Sequence, residues 1–187
     1  MVNKQAIYDS LKSCPVIASV HDKLFNEALN SPVEVIFLLG ANILTLSERI
    51  EAAHKSGKYI FVHMDLTEGL GKDKSGIEYL AQCGADGLVT TKAMLIRMAK
   101  DSGLLTVQRF FAFDTQGIES ISDMLNNSSP DIIEIMPGVI GKIIQRFSKA
   151  SVPLISGGLI ETKAEVIEAL NQGAIAVSTG VSTLWYS

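Results

Sequence analysis

Among its 187 residues the chain has two cysteines, five prolines and one tryptophan, and charged side chains make up only 19% of it. Each scarcity removes a class of protein. Cys14 and Cys83 sit in unlike surroundings without a CxxC spacing, so a disulfide framework and a zinc site are both excluded, and two buried thiols in a reducing compartment are the expectation. No stretch rich in Pro, Ser or Gly divides the chain, and residues 1–187 therefore read as a single domain. No apolar run is long enough to span a bilayer, and Lys4, Asp9 and Lys12 interrupt the N-terminal segment where a signal peptide needs an unbroken apolar core. The expectation is a cytoplasmic protein with no membrane partner. Positive charge is also in short supply, with 16 Lys and Arg against 20 Asp and Glu. The net charge of −4 and pI near 5.4 exclude broad electrostatic adhesion to nucleic acid and leave room only for a local basic cluster.

What is abundant is apolar: 47% of residues are hydrophobic and the mean hydropathy is +0.27, values that suit a sheet covered on both faces. Runs rich in Val and Ile recur at 16–20, 33–39, 59–64, 88–91, 105–113, 132–136, 152–156 and 174–179. They are continuous more than alternating, as parallel strands buried on both sides should be. Between them lie three helix-start signatures, Thr45 with Glu48, Ser75 with Glu78 and Thr162 with Glu165. Gly57, Gly84, Gly103 and Gly173 each stand just before a strand, where a left-handed residue ends a helix. Eight βα units of about 23 residues make a compact (β/α)8 TIM-type barrel, smaller than the usual size of about 250 residues. An open doubly wound sheet is the rival α/β architecture, but no G-x-G-x-x-G follows the first strand. The segments 82–91 and 171–179 echo one another, each a helix stop, a strand and two hydroxyl residues, which fits either half-barrel duplication or shared βα chemistry.

In such a barrel the C-terminal strand ends converge on one face, and loops after strands seven and eight commonly hold phosphate. Ser156-Gly157-Gly158-Leu159 and Ser178-Thr179-Gly180 occupy those places. Glycines admit the backbone close to an anion, and a following helix start supplies N–H donors, so Gly157, Gly158, Ser178, Thr179 and Gly180 are the candidate phosphate cradle. The other polar residues at strand ends are His21, His63, Asp65, Thr90, Thr91, Lys92, Gln108, Arg109, Asp114 and Glu134. Their place at the mouth makes His63, Asp65, Arg109 and Glu134 candidates to contact a small ligand or shape its entrance. His63 and Asp65, two apart on a strand, would share a face; Arg109 and Glu134, on adjacent strands, are either a structural ion pair or a substrate clamp. The connection 65–75, with two glycines and two lysines, reads as a lid, a contact surface or simply a solvated loop. Trp185 and Tyr186 are expected to cover the barrel bottom or a neighbouring subunit.

Taken in order, His63-Met64-Asp65-Leu66 with Gly69, Gly87-Leu88-Val89-Thr90-Thr91, Val107-Gln108-Arg109-Phe110, Glu134-Ile135-Met136-Pro137-Gly138-Val139 and Ser156-Gly157-Gly158-Leu159-Ile160 resemble the glycerol-3-phosphate-responsive antiterminator family. The resemblance covers nearly the whole chain. It implies a regulator of glycerol metabolism that binds glycerol 3-phosphate and then the leader of a messenger RNA, preventing a terminator hairpin from ending transcription. Carried onto this sequence, the phosphate would lie on Gly157, Gly158, Thr179 and Gly180, with Asp65, Arg109 and Glu134 toward the glycerol hydroxyls or holding the mouth in shape. No matched motif assigns the RNA surface. In so acidic a chain RNA contact would rest on a limited cluster such as Lys72, Lys74, Lys92, Arg97 and Lys100, repeated by homo-oligomerisation.

The competing readings are a small barrel enzyme acting on a phosphorylated sugar or triose, with Asp65 and Glu134 as acid and base, and a sensor that works through protein partners. No lysine lies within a strand run to form a Schiff base, and no histidine–carboxylate cluster calls for a metal. The reading is therefore of a non-enzyme with no catalytic residue, metal or cofactor.

Overall fold

The structure, a computed structural model, describes residues 3–186. Eight parallel strands pair in chain order and close: β1 (Val16–Val20), β2 (Val35–Leu38), β3 (Tyr59–His63), β4 (Gly87–Thr90), β5 (Leu105–Phe111), β6 (Ile132–Met136), β7 (Leu154–Gly157) and β8 (Ala176–Thr179), with β8 registered on β1 through Ile17 and Ser178. Helices α2 (Asp22–Asn30), α3 (Ile43–Lys55), α4 (Lys74–Gln82), α5 (Ala93–Ala99), α6 (Thr115–Ser128), α7 (Gly141–Phe147) and α8 (Lys163–Asn171) alternate with the strands. This is the (β/α)8 barrel, and the closed strand order disposes of the open sheet.

Side-chain alternation along each strand divides the core. Ile17, Val35, Phe37, Phe61, Val89, Leu105, Val107, Ile132 and Ile155 fill the barrel interior, where the Phe37 and Phe61 rings meet at 5.4 Å. Their neighbours in sequence, such as Ala18, Ile36, Ile60, Leu88, Ile133 and Leu154, face the helices. Below the mouth both faces of the strands are thus dry, which is why the runs read as continuously apolar.

A helix that the strand pattern does not announce, α1 (Lys4–Ser13), precedes β1. Asn3 caps it by accepting from the Ala6 N–H at 3.2 Å, and Ile7 and Leu11, four apart on one face, join the interior cluster. This helix, not Trp185 and Tyr186, plugs the bottom. The C-terminal residues cannot reach it because they leave from the opposite end of β8: the short 3₁₀ turn Ser182–Tyr186 packs on β1 and α2. There Trp185 is fully buried and its Nε1 donates to the Thr179 carbonyl at 3.0 Å, while Tyr186 stays exposed.

Of the three helix-start signatures, only Thr162 with Glu165 forms a capping box. Asn42 and Asp73 cap α3 and α4 instead, so those helices begin earlier than the Thr45 and Ser75 patterns imply. The four helix-stop glycines all take positive φ, between 72° at Gly57 and 101° at Gly173.

Trp185→Ala should cost about 3–5 kcal/mol, because it opens a cavity and also strips the Thr179 carbonyl of its donor. Trp185→Phe should cost clearly less. Urea unfolding followed by circular dichroism measures both, and an alanine variant as stable as the parent would show that the C-terminal turn is not part of the packed core.

Candidate functional site

Above the apolar floor the inward positions turn polar: Ser19, His63, Arg109, Glu134 and Ser178 form the upper layer. Arg109 and Glu134 are registered side by side on β5 and β6. Arg109 Nε donates to Glu134 Oε2 at 2.5 Å, and Ser178 Oγ donates to Glu134 Oε1 at 2.5 Å. Glu134 is wholly buried, so both oxygens need these partners. Gly157, assigned from sequence to the phosphate cradle, has a structural task in this layer. A Cβ there would lie 2.5 Å from both Glu134 Oε1 and Ser178 Oγ, so the missing side chain makes room for the buried carboxylate and its donor. Ser178 is likewise spent on Glu134.

His63 and Asp65 do not share a strand face. β3 ends at His63, and a 3₁₀ turn, Met64–Leu66, swings Asp65 toward β4. There its carboxylate accepts from Thr90 Oγ1 at 2.7 Å, Thr91 N at 2.8 Å and Thr91 Oγ1 at 2.9 Å. Burial alone would raise its pKa, but these three donors outweigh burial and hold it below the ordinary carboxylate value. His63 is nearly fully buried and its Nδ1 has no partner. Burial first, then the Arg109 guanidinium, lowers its pKa to about 4, so the imidazole is neutral at neutral pH.

A cavity of 360 Å³ opens beside this layer, lined by Ser19, His21, Arg109 and Met136 and by the loops that follow β7 and β8, including Gly158, Leu159, Ile160 and Gly180. That volume lies in the range of small-molecule sites. Arg109 is on its wall, and its Nε is committed to Glu134. Gly158 and Leu159 both take positive φ, 76° and 60°, which turns the loop over the cavity. Its shape is pinned by neighbours: the Gly138 N–H donates to the Gly158 carbonyl at 3.0 Å, and Thr179 Oγ1 donates to the Ile160 carbonyl at 2.8 Å. The start of α8 does not supply the expected anion donors. Glu165 Oε2 already accepts from the N–H groups of Glu161 and Thr162, each at 2.9 Å. The N–H groups of Leu159 and Ile160 have no acceptor among the described residues and remain for a ligand. Sequence reasoning singled out neither Ser19 nor Glu161, also on the cavity wall; only the closed register brings them there.

A larger hollow, 530 Å³, lies at the other end of the barrel around Pro130 and Val152, with no buried polar side chain facing it.

The cations assigned from sequence to RNA do not make one patch. Lys72 Nζ donates to the carbonyls of Met64 and, at 2.7 Å, Thr67, so it staples the 65–75 connection to the barrel. That connection is tethered again where Glu68 N donates to the Ala41 carbonyl at 2.8 Å and Ile43 N to the Glu68 carbonyl at 3.0 Å. It is a tied loop, not a free lid. Lys74 lies 3.7 Å from Glu78, and Arg97 reaches the Asn127 carbonyl at 3.5 Å. Lys92 stands exposed on the rim, while Lys100 is exposed at the far end of α5.

The family profile described as glycerol-3-phosphate responsive antiterminator matches residues 16–185. The chain belongs to this family. A crystal structure of the glycerol uptake operon antiterminator regulatory protein from Listeria monocytogenes is 31% identical, with TM-score 0.87 over 91% of this chain and 94% of that one. A glycerol uptake operon antiterminator-related protein from Thermotoga maritima is 32% identical, with TM-score 0.82 over 91% and 96%. The uncharacterized protein YgcP of Escherichia coli (strain K12) is 34% identical over 94% of this chain and 93% of its own length. A solved aldolase, 9% identical with TM-score 0.72, shares the barrel and bears on fold alone.

The buried imidazole fixes a pH dependence for this family member. Between about pH 6.5 and 4 the unfolded chain takes up a proton that the folded one refuses, so stability falls as pH drops through that window, by up to about 3 kcal/mol. His63→Asn should flatten this slope in urea midpoints taken across the window, and an unchanged slope would place the titration elsewhere. Gly157→Ala should separate Glu134 from Ser178 and lower stability by about 2–4 kcal/mol, seen as a fall in the urea midpoint.

Proposed function

We propose that this chain is a glycerol-3-phosphate-responsive antiterminator of glycerol-utilisation genes, a regulator that carries its ligand in the mouth cavity and its target in a messenger RNA leader. The observation that carries the ligand part is the combination of unpaired N–H groups at Leu159 and Ile160 with the Arg109 guanidinium on the wall of one small-molecule cavity. Phosphate would take the loop donors and Gly158, Thr179 and Gly180 would bring the backbone close. The hydroxyls would meet Ser19 and Arg109 on the cavity wall. The relatives named for glycerol uptake antitermination support the same reading.

The phosphosugar enzyme finds less support. Its acid and base would be Asp65 and Glu134, and both carboxylates are saturated by donors within the fold. No strand of the described residues contains a lysine for Schiff-base chemistry.

Calorimetric titration with glycerol 3-phosphate, with glycerol and inorganic phosphate as controls, tests the reading. Saturable binding of glycerol 3-phosphate well above either control is the expected result. Gly158→Asp should weaken it by about tenfold or more by setting a carboxylate against the phosphate, equivalent to about 1.4 kcal/mol. Equal affinity in that variant would move the anion away from the β7 loop.

A further inference from the structure

The rim of the mouth carries an aromatic feature that the ligand site does not use. Phe111, the last residue of β5, and Phe113, two residues on, stack with ring centroids 5.3 Å apart and planes 11° from parallel. Both are exposed, Phe113 by 79%. A phenyl ring standing in water gains nothing for the fold, and two held face to face in water are a preformed surface whose outer face can accept a third flat ring.

The surroundings of the pair match a polyanion. In the closed strand order β5 lies beside β4, so Lys92, two residues past β4, stands at the same end of the barrel as the pair. It is exposed, and no hydrogen bond or ion pair engages its side chain. Two acids at that end of the barrel are hydrogen-bonded within the fold: Asp114 accepts from the Gly117 N–H at 2.7 Å, and Asp65 is held by Thr90 and Thr91. A stacked aromatic pair beside an uncommitted ammonium group is the elementary unit of single-strand nucleic-acid binding, in which bases stack and cations follow the backbone.

The geometry points to Phe111 and Phe113 as the platform on which the RNA lays an unpaired base, with Lys92 toward a neighbouring phosphate. The inference rests on the antiterminator reading and adds to it the contact surface. Stacking reads a π-face, so this contact favours unpaired nucleotides over duplex and tolerates sequence. It also explains how a chain of net charge −4 holds RNA at all, since part of the affinity comes from stacking, which needs no cation.

The test uses the full chain and fluorescence anisotropy with two labelled probes, a randomised single-stranded RNA pool and a stable RNA hairpin without a long loop. Phe113→Leu keeps apolar area and removes the aromatic face, and Phe113→Trp restores a larger one. The parent should bind the single-stranded pool more tightly than the hairpin. Phe113→Leu should lose about fivefold to a hundredfold on the pool, the range of one stacked base, and Phe113→Trp should recover it. Calorimetric binding of glycerol 3-phosphate should be unchanged in every variant, which separates this inference from the ligand reading. Equal RNA affinity in parent and Phe113→Leu overturns it, as does a preference for the hairpin or no binding of the pool by the parent. A parent mass in light scattering that halves in Phe113→Leu also overturns it, because the rings would then belong to a contact between two copies of the chain.

Discussion

The buried pair of Arg109 and Glu134 is the constraint around which the upper barrel is arranged. A carboxylate with no solvent contact is tolerable only if each oxygen is met by a donor, and the desolvation cost is large enough that loss of one partner leaves an uncompensated charge. The chain supplies Arg109 from the neighbouring strand on one side and Ser178 from two strands away on the other. Fitting that arrangement requires β7, between them, to present no side chain, and Gly157 meets the requirement. Four consecutive strands are thereby fixed relative to one another above the hydrophobic layers. The same pair sets the electrostatics of the cavity. Arg109 is a cation on the wall, and its Nε is paired with Glu134, so an anion there would also draw on the backbone dipoles of the shaped loop.

The loops around the mouth are joined by one repeated device. At the end of β4, Thr90 donates to Asp65 in the preceding loop and accepts from the N–H of Lys92 two residues on. At the end of β8, Thr179 donates to the Ile160 carbonyl in the preceding loop and accepts from the N–H of Val181 two residues on. The echo between segments 82–91 and 171–179 therefore has a physical content: a strand-terminal threonine that locks its own turn and ties it to the loop before. The opposite end of the barrel is tied by acids instead. Asp86 accepts from the Ile60 N–H, and Asp131 from the Thr106 N–H and hydroxyl. Carboxylates spent in this way serve stability, which accounts for acidic residues that no ligand needs to meet.

Much of the fold was legible because it follows from local rules. A strand covered on both sides must be apolar throughout, and the glycines that stop helices must take positive φ, so the alternation and its count could be read directly. What was not legible depends on which neighbour arrives. Thr45 and Ser75 have the right spacing to their glutamates, but Asn42 and Asp73 stand earlier and take the cap, which leaves the later hydroxyls inside the first turn. The plug at the barrel bottom had a signal, Asn3 with Ile7 and Leu11 at helical spacing, but the two large aromatics at the C-terminus drew the assignment away from it. For the site, the pairing of Arg109 with Glu134 was legible because they stand on adjacent strands. The structural tasks of Gly157, Ser178 and Lys72 were not, since a glycine that clears space for a carboxylate and a lysine that staples a loop are indistinguishable in sequence from ligand-binding ones.

The two surfaces of the mouth share a strand. Arg109 and Phe111 are two residues apart on β5 and point to the same side of it, the first into the cavity and the second onto the rim. Phe111 is registered on Met136, itself a wall residue of the cavity and the side chain that a Cβ at Gly158 would strike at 2.6 Å. A ligand in this cavity would meet Met136 and Arg109, residues that neighbour Phe111 by register and by sequence. Closed strands move little, so any effect of the ligand on the rings must come from how it settles the side chains and loops at that end of β5. Coupling of that kind needs only a difference in ligand affinity between two arrangements of the rim, and no change in the barrel beneath it.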